Sequence, residues 1–484
     1  MNIFCIKTTK GLNLGKPEAE AERQFMLDYF EDYFNIKQEI ENGCFIISGR
    51  KGSGKSAYAV WMQQHALNHD NEFCSLVKND DFNLELIINS IPDKDVRFEA
   101  FFEWVILVRL VKLILDSNIG TYLEQVRAIK KFYERNTGYV NIDKYSIAEI
   151  VSNSEVNFAP LKSCFGFFNR FFGTKSIKAP FYKMIAPLRD TVLEVLKMQI
   201  FNGVKFNILF DDLDVKLKLS RYQDKVMLLD LIRIARRYNT EYLTDTNAKI
   251  LIFLRDDIGD RLRCTDADKN KIFSSYEHCI NWYEHDIAMN DEKRVLLRQF
   301  INKRIALAFD KAGYQYDKKD PWVSFVSEDS NQKTSFKYIL DHTFYLPRDF
   351  ITIFKDISSK NMKLPLSHKD INTLLREYAP VKKSEIEDEL FTIIDDKQTI
   401  DTLFKVLHTI GEQGDVSYEK LMSILSDFGL NEQHFFILLD YSLLVRVDAN
   451  GFLYFNYREQ NVTQTVDKYK YTIPRFLKVY YRQI

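Results

Sequence analysis

Residues 49–56 read GRKGSGKS, with Gly49 and Gly54 bracketing four residues and Lys55 and Ser56 following at once. Glycines let the backbone curl until successive N–H groups point into one concavity, the geometry that holds phosphate oxygens. Lys55 supplies a mobile charge for β- and γ-phosphates, and a hydroxyl at Ser56 is placed to ligate magnesium. Arg50, Lys51, Gly52, Ser53 and Ala57 complete the cradle. The chemistry is that of a nucleoside triphosphate held with Mg2+. A plain Gly-Ser turn beside a lysine has a similar composition, but not an apolar strand before it and a helix after it.

A magnesium–phosphate site needs an acid at a neighbouring strand end. ILFDDLD (208–214) ends an apolar run on Asp211 and Asp212. Asp211 suits the metal's hydration shell, and Asp212, with Asp214 as a substitute, suits a base polarising an attacking water. Asp also closes strands at ordinary turns; the glycine loop upstream favours the chemical reading. Two arginines follow. KILIFLRDD places Arg255 just past another apolar run, where it can stabilise a γ-phosphate or pair with Asp256 or Asp257 at a solvent edge. Arg348, in YLPRDF, opens a helix after a proline; it can close over a nucleotide from a lid or share a turn with Asp349.

These residues need a scaffold. CFIISG (44–49) reads as a strand, and Lys55 to about Leu67 as a helix. FCSLV (73–77), FNILF (206–210) and KILIFL (249–254) read as further strands, with a helix over Tyr222–Tyr238. Strands alternating with helices, each nearly continuous in apolar residues, predict an α/β fold: a parallel sheet with helices on both faces. Spacing of Phe25, Tyr29, Tyr33, Ile36 and Ile40 predicts helix over Glu18–Ile40, and 84–200 reads mostly as helices. Helices are expected over Asp291–Ala312, from Leu346, and over about 399–410, 417–428 and 431–444. A hairpin VRVD–ANG–FLYFNY, turning at Asn450-Gly451, closes the order of a winged helix.

On these pieces the chain resembles the STAND and origin-recognition branch of AAA-type ATPases. More narrowly it is similar to a prokaryotic P-loop ATPase family often found beside phage-defence genes. The matching segments are GKPEAEAE (15–22), SGRKGSGKSA (48–57), ILFDDLD, FLRDDIGDRL (253–262), DKNKI (268–272) and LPRDFI (346–351). The resemblance implies ATP rather than GTP, and Arg255 and Arg348 as nucleotide sensors. It also implies ATP-dependent self-association, a possible homo-oligomer. The organisation expected is a P-loop ATPase domain over 1–360, with a large helical insertion at about 84–200 and a lid at about 291–360. A linker helix region at 361–384 and a C-terminal winged-helix domain at 385–484 with a basic aromatic tail complete it.

The bulk composition narrows the classes. The 484 residues carry a net charge of −1, so nothing global draws the chain to nucleic acid or membrane. Six cysteines form no C-x-x-C pair, which opposes a disulfide framework and fits a reduced, cytoplasmic setting. His278, Cys279 and His285 fit no metal-site spacing. The start shows no signal-peptide pattern. Phe98–Leu115, the greasiest stretch, carries Glu99, Glu103, Arg109 and Lys112 and reads as a buried helix, not a membrane span.

Two basic, aromatic stretches bear on partners. Residues 156–189 hold Lys162, Arg170, Lys175, Lys178, Lys183 and Arg189 without an acid, interleaved with Phe165, Phe167, Phe168, Phe171 and Phe172. Such a segment can track nucleic acid, but FGFFNRFF is greasier than such grooves and favours core or protein contact. The tail from Lys468 is similar, and packs back or binds an acidic partner. Asn431–Leu444 contains no Lys or Arg, which opposes major-groove reading. The expected function is an ATP-hydrolysing switch coupled to a protein partner, with antiphage defence as its setting. The alternatives are an ATP-dependent nucleic-acid loader and a non-hydrolysing, nucleotide-bound scaffold.

Overall fold

The computed structural model describes residues 7–78, 97–136, 155–157, 178–213, 222–263, 267–283, 291–328, 334–456 and 466–483. The chain divides into two compact units, Arg23–Ile280 and Met1–Glu22 with Asn281–Ile484.

The first unit is built on five parallel strands: β1 (Ile46–Gly49), β2 (Glu72–Lys78), β3 (Lys205–Asp211), β4 (Ala248–Arg255) and β5 (Glu277–Ile280). They lie in the order β2-β3-β4-β1-β5. Helix α1 (Lys55–Leu67) joins β1 to β2, and the predicted bounds of this helix match. Helices α2 (Arg97–Asp116), α3 (Glu124–Arg135) and α4 (Ile185–Leu196) precede β3, and α5 (Tyr222–Arg237) joins β3 to β4. In register, Phe210 lies beside Ile252 and Ile47 beside Phe253. Side chains alternate along a strand, so Phe210 and Phe253 point to opposite faces. Phe253 meets Tyr58 of α1, and Phe210 meets Phe102 of α2, each at 6.2 Å between ring centroids. Both faces are therefore covered by helices, which is why Ile250–Leu254 is buried at every position.

The link from α5 to β4 has a specific device. After Arg237 the chain widens into a π-turn, Tyr238–Tyr242. There the Asn239 side-chain amide donates to Ile250 O at 2.8 Å, and its oxygen accepts from Ile250 N at 3.0 Å. Pairing between β1 and β4 begins only at Ile252, so Asn239 does for Ile250 what a strand would. Beside it, Glu103 is buried and accepts from Arg189 at 2.8 Å and from the Tyr238 hydroxyl at 3.1 Å.

Several sequence expectations need correction. Glu18–Ile40 is not one helix: a 3-10 turn at Glu20–Phe25 and short helices at Met26–Tyr29 and Ile36–Glu41 divide it, with Asn35 at φ 52 before the last. Within 84–200, expected to be mostly helical, residues 155–157 and 178–180 pair as an antiparallel ribbon that was not foreseen. Phe165, Phe167, Phe168, Phe171, Phe172, Lys162, Arg170 and Lys175 lie outside the described residues. Strand β5 was not foreseen; EHCI is short and half polar, as an edge strand tolerates. The helix expected over 431–444 ends at Asp440.

In the second unit, α6 (Leu296–Ala312) packs with Pro321–Phe325, and α7 (Pro347–Phe354) packs with α8 (His368–Phe391). Arg298, buried, donates to both oxygens of Asp320 at 3.0 Å and lies over the rings of Trp322 and Phe336. Helix α8 runs across residue 385 and contains Pro380. A proline removes the hydrogen bond to the carbonyl four residues earlier; here Gln483 Nε2 supplies one to Arg376 O at 3.1 Å. Three helices follow, α9 (Lys397–Gln413), α10 (Tyr418–Asp427) and α11 (Glu432–Asp440). A small antiparallel sheet comes next, in which β7 (Leu453–Tyr454) and β8 (Lys470–Thr472) flank β6 (Val445–Val447). The tail ends in α12 (Arg475–Tyr481), whose Phe476 and Leu477 are buried. No helix among the described residues is long and apolar enough to cross a membrane.

Candidate functional site

The glycine loop connects β1 to α1 at the carboxyl end of the sheet. Gly52 and Gly54 have φ of 86° and 103°, a region that L side chains seldom adopt. A Cβ on Gly49 would lie 2.7 Å from Ser53 Oγ and 3.0 Å from Ile280 O, so the loop closes only over a hydrogen atom there. Lys55 is buried, and its ammonium donates to Gly49 O at 2.7 Å and Arg50 O at 2.9 Å. Its charge is held within the loop's own curve. Ser53 is buried, while Arg50, Lys51, Gly52, Gly54, Ser56 and Ala57 are half-buried around it.

Asp211 ends β3 two strands away from β1, yet the Ser56 hydroxyl lies near enough to its carboxylate to favour the charged form. The Asp211 side chain is buried, and its Oδ2 has no hydrogen-bond partner. Burial foremost, and then the neighbouring Asp212, push its pKa up to about 7, against the Ser56 hydroxyl and the charges of Lys78 and Lys55. An orphaned carboxylate oxygen beside a hydroxyl, at the mouth of the glycine loop, is a donor set suited to Mg2+. Among the described residues, no group of three or more His, Cys, Asp or Glu side chains gathers into another candidate metal site.

Asp212 stands at φ 53, an uncommon conformation for a side-chain-bearing residue. Its Oδ2 accepts from Lys78 Nζ at 3.0 Å. Lys78 ends β2 in register with Asp211, and the sequence reading passed over it. The signal was present: a lysine directly after an apolar strand, at the same sheet edge as the acids. Arg255 lies in register with Gly49, next to the loop. Its guanidinium grips Asp257, Nε to Oδ1 at 3.0 Å and Nη2 to Oδ2 at 2.6 Å. Of the two roles open in sequence, the Asp257 pair is formed, but as a largely buried contact. Asp256 opens the helix that follows Arg255. Desolvation raises its pKa, while Arg50 and Lys55 act to lower it.

Arg348 belongs to the other unit, in the first turn of α7. It is half-buried, and its Nε has no hydrogen-bond partner. Asp349 is engaged separately: Oδ2 accepts from Phe344 N at 2.9 Å, and Oδ1 is 2.8 Å from Lys382 Nζ.

Of the two basic, aromatic stretches, residues 178–189 and 466–483 are described. Arg189 turns inward to Glu103 and to the ring of Tyr242. In the tail, Tyr471, Phe476 and Leu477 are buried, while Lys468, Lys470 and Arg482 are exposed.

Residues 295–387 match the family model described as the FunZ-associated C-terminal helical domain. That segment runs from the start of α6 through most of α8 and includes Arg348, Asp349 and Lys382. No curated protein matches the chain.

Proposed function

We propose that this chain is a magnesium-dependent P-loop ATPase of the AAA type, whose nucleotide state is coupled to a protein partner. The observation that carries the reading is the buried Asp211 carboxylate oxygen without a hydrogen-bond partner, at a strand end where Ser56, Lys55 and Lys78 all act on its charge. Bound Mg2+ would supply charge neutralisation for the β- and γ-phosphates, with Ser56 and Asp211 as the residues that hold it. Lys55 and the loop N–H groups bind the phosphates. Asp212 orients and deprotonates the attacking water, with Lys78 fixing the direction of its carboxylate. Arg255, one strand over from the loop, recognises the γ-phosphate on exchanging its Asp257 pair for the nucleotide.

The second unit supports the coupling role. Three helices followed by a small antiparallel sheet have the order of a winged helix, and α11 contains neither lysine nor arginine. Such a module suits protein contact better than the reading of base edges. Antiphage defence is the setting suggested by the resemblance of the motifs. Steady-state ATP turnover by the purified chain, compared with Lys55→Ala and Asp211→Asn, tests the reading. Turnover lost in both variants supports it; turnover that survives Lys55→Ala sinks it.

A further inference from the structure

Arg255 and Asp257 form a two-point pair at the end of β4. Nε donates to Oδ1 at 3.0 Å and Nη2 to Oδ2 at 2.6 Å, and the two side chains are 9% and 24% exposed. The backbone builds this pair in: Arg255 is the last residue of the strand, and Asp257 stands in the first turn of the helix Asp256–Arg263. Asp256 fixes that turn by accepting the Asp257 N–H at 2.8 Å. Gly49, where the glycine loop begins, lies in register with Arg255 on the neighbouring strand. The charges of Arg50 and Lys55 in turn reach Asp256. The loop cations and the two acids therefore share one corner of the first unit.

Lys55 and Arg255 differ in what holds them. The Lys55 ammonium donates to two carbonyls, Gly49 O and Arg50 O. Those partners carry no net charge, so a phosphate oxygen replaces them readily. Arg255 is held by a carboxylate in a largely buried setting, where a charge-assisted fork is strong. A guanidinium neutralised in this way attracts an approaching anion only weakly. An anion displaces Asp257 when it carries more charge than a carboxylate and arrives at the end of β4. A terminal phosphate, with about two negative charges and three acceptor oxygens, meets the first condition. A triphosphate reaches one phosphate further than a diphosphate, which meets the second.

We propose that Asp257 is a latch on Arg255 that a γ-phosphate displaces and a diphosphate does not, so that the pair makes the site discriminate between ATP and ADP. This role rests on the ATPase reading and on the place given there to Arg255. Asp257 is a positioning residue, acting through Arg255 as a competitor for the same N–H groups.

Binding of ADP and of a slowly hydrolysed ATP analogue, each with Mg2+, is measured by calorimetry on the full-length parent, Asp257→Asn, Arg255→Ala and the double variant. A thermal melt shows that each is folded, and Asp257→Ser serves as a second removal of the carboxylate where the amide variant melts early. Asp257→Asn is expected to bind the analogue about tenfold more tightly, because apparent affinity scales with the fraction of time that Arg255 is released. Its affinity for ADP is expected to change by less than about threefold, since ADP leaves the pair closed. In the Arg255→Ala background the same substitution is expected to leave both affinities unchanged, as residues acting through one another do not add. Looser binding of the analogue by Asp257→Asn would overturn the latch and make Asp257 a brace that holds Arg255 toward the phosphate. An equal shift for both nucleotides, a shift that persists without Arg255, or no shift at all would overturn it too, while leaving the ATPase reading intact. A parent that binds neither nucleotide would remove that reading and the latch together.

Discussion

Asp211 combines two demands that conflict. To serve a magnesium ion it must be ionised, yet it is buried beside Asp212, and its pKa is pushed up to about 7 from the ordinary 3.8. An acid whose folded pKa is raised contributes stability that is complete below its unfolded pKa and is lost as pH rises through the folded one. The window here runs from about pH 4 to about pH 7. Asp211→Asn removes the titration, so its melting temperature is expected to exceed the parent's at pH 8 and to match it near pH 4. Equal melting temperatures at both pH values would argue against a strained carboxylate. The corresponding gain appears with the metal: the apparent Mg2+ affinity for supporting nucleotide binding is expected to rise between pH 6 and pH 8. A flat profile would mean that Asp211 is not a ligand.

The strand, glycine loop and helix over residues 46–67 were the most legible feature, because they follow one another in contiguous sequence. Pairings between distant residues were not legible. Lys78 and Asp212 are brought together only by the register of β2 on β3, and a lysine ending an apolar run was the one local sign at residue 78. Arg255 was open between two roles in sequence; in the fold the neighbouring Asp257 holds it.

Among the elements, legibility followed burial. β3 and β4, covered on both faces, are continuous apolar runs and were visible; β5, an edge strand of half-polar composition, was not. The Glu18–Ile40 periodicity misled because aromatic residues at helical spacing serve a turn as well as a helix, and Asn35 adopts a left-handed conformation that interrupts the pattern. The π-turn after α5 also escaped, since its role is to aim the Asn239 amide at Ile250. Asn239→Ala is expected to destabilise the first unit by about 2 kcal/mol, because it strips partners from a backbone N–H and C=O within a packed sheet. Urea unfolding measures this directly, and a change within experimental error would show that water replaces the amide.

In the second unit, α12 ties the end of the chain to α8 and to the turn before α7. Tyr481 donates to Phe404 O at 2.7 Å, and Lys383 lies over the ring of Phe404 at 4.4 Å. The basic, aromatic tail, which in sequence suggested either packing or a partner, buries Phe476 and Leu477 and exposes Arg482. Truncation before Arg475 is expected to lower the melting temperature of the full chain by several degrees, since it exposes the apolar face of α8. An unchanged melt would show that α12 is dispensable for stability.

The central claim is hydrolysis at the loop–strand junction, and its most direct test is magnesium-dependent ATP turnover by the purified full-length chain beside Lys55→Ala, Asp211→Asn and Asp212→Asn. The parent is expected to hydrolyse ATP only with Mg2+. Loss of the loop lysine or of either acid should lower kcat by about a hundredfold or more, the range set by groups that position and stabilise transferring phosphate. Turnover that persists in Lys55→Ala, or that does not require Mg2+, would place the chemistry elsewhere and remove the ground for an ATPase.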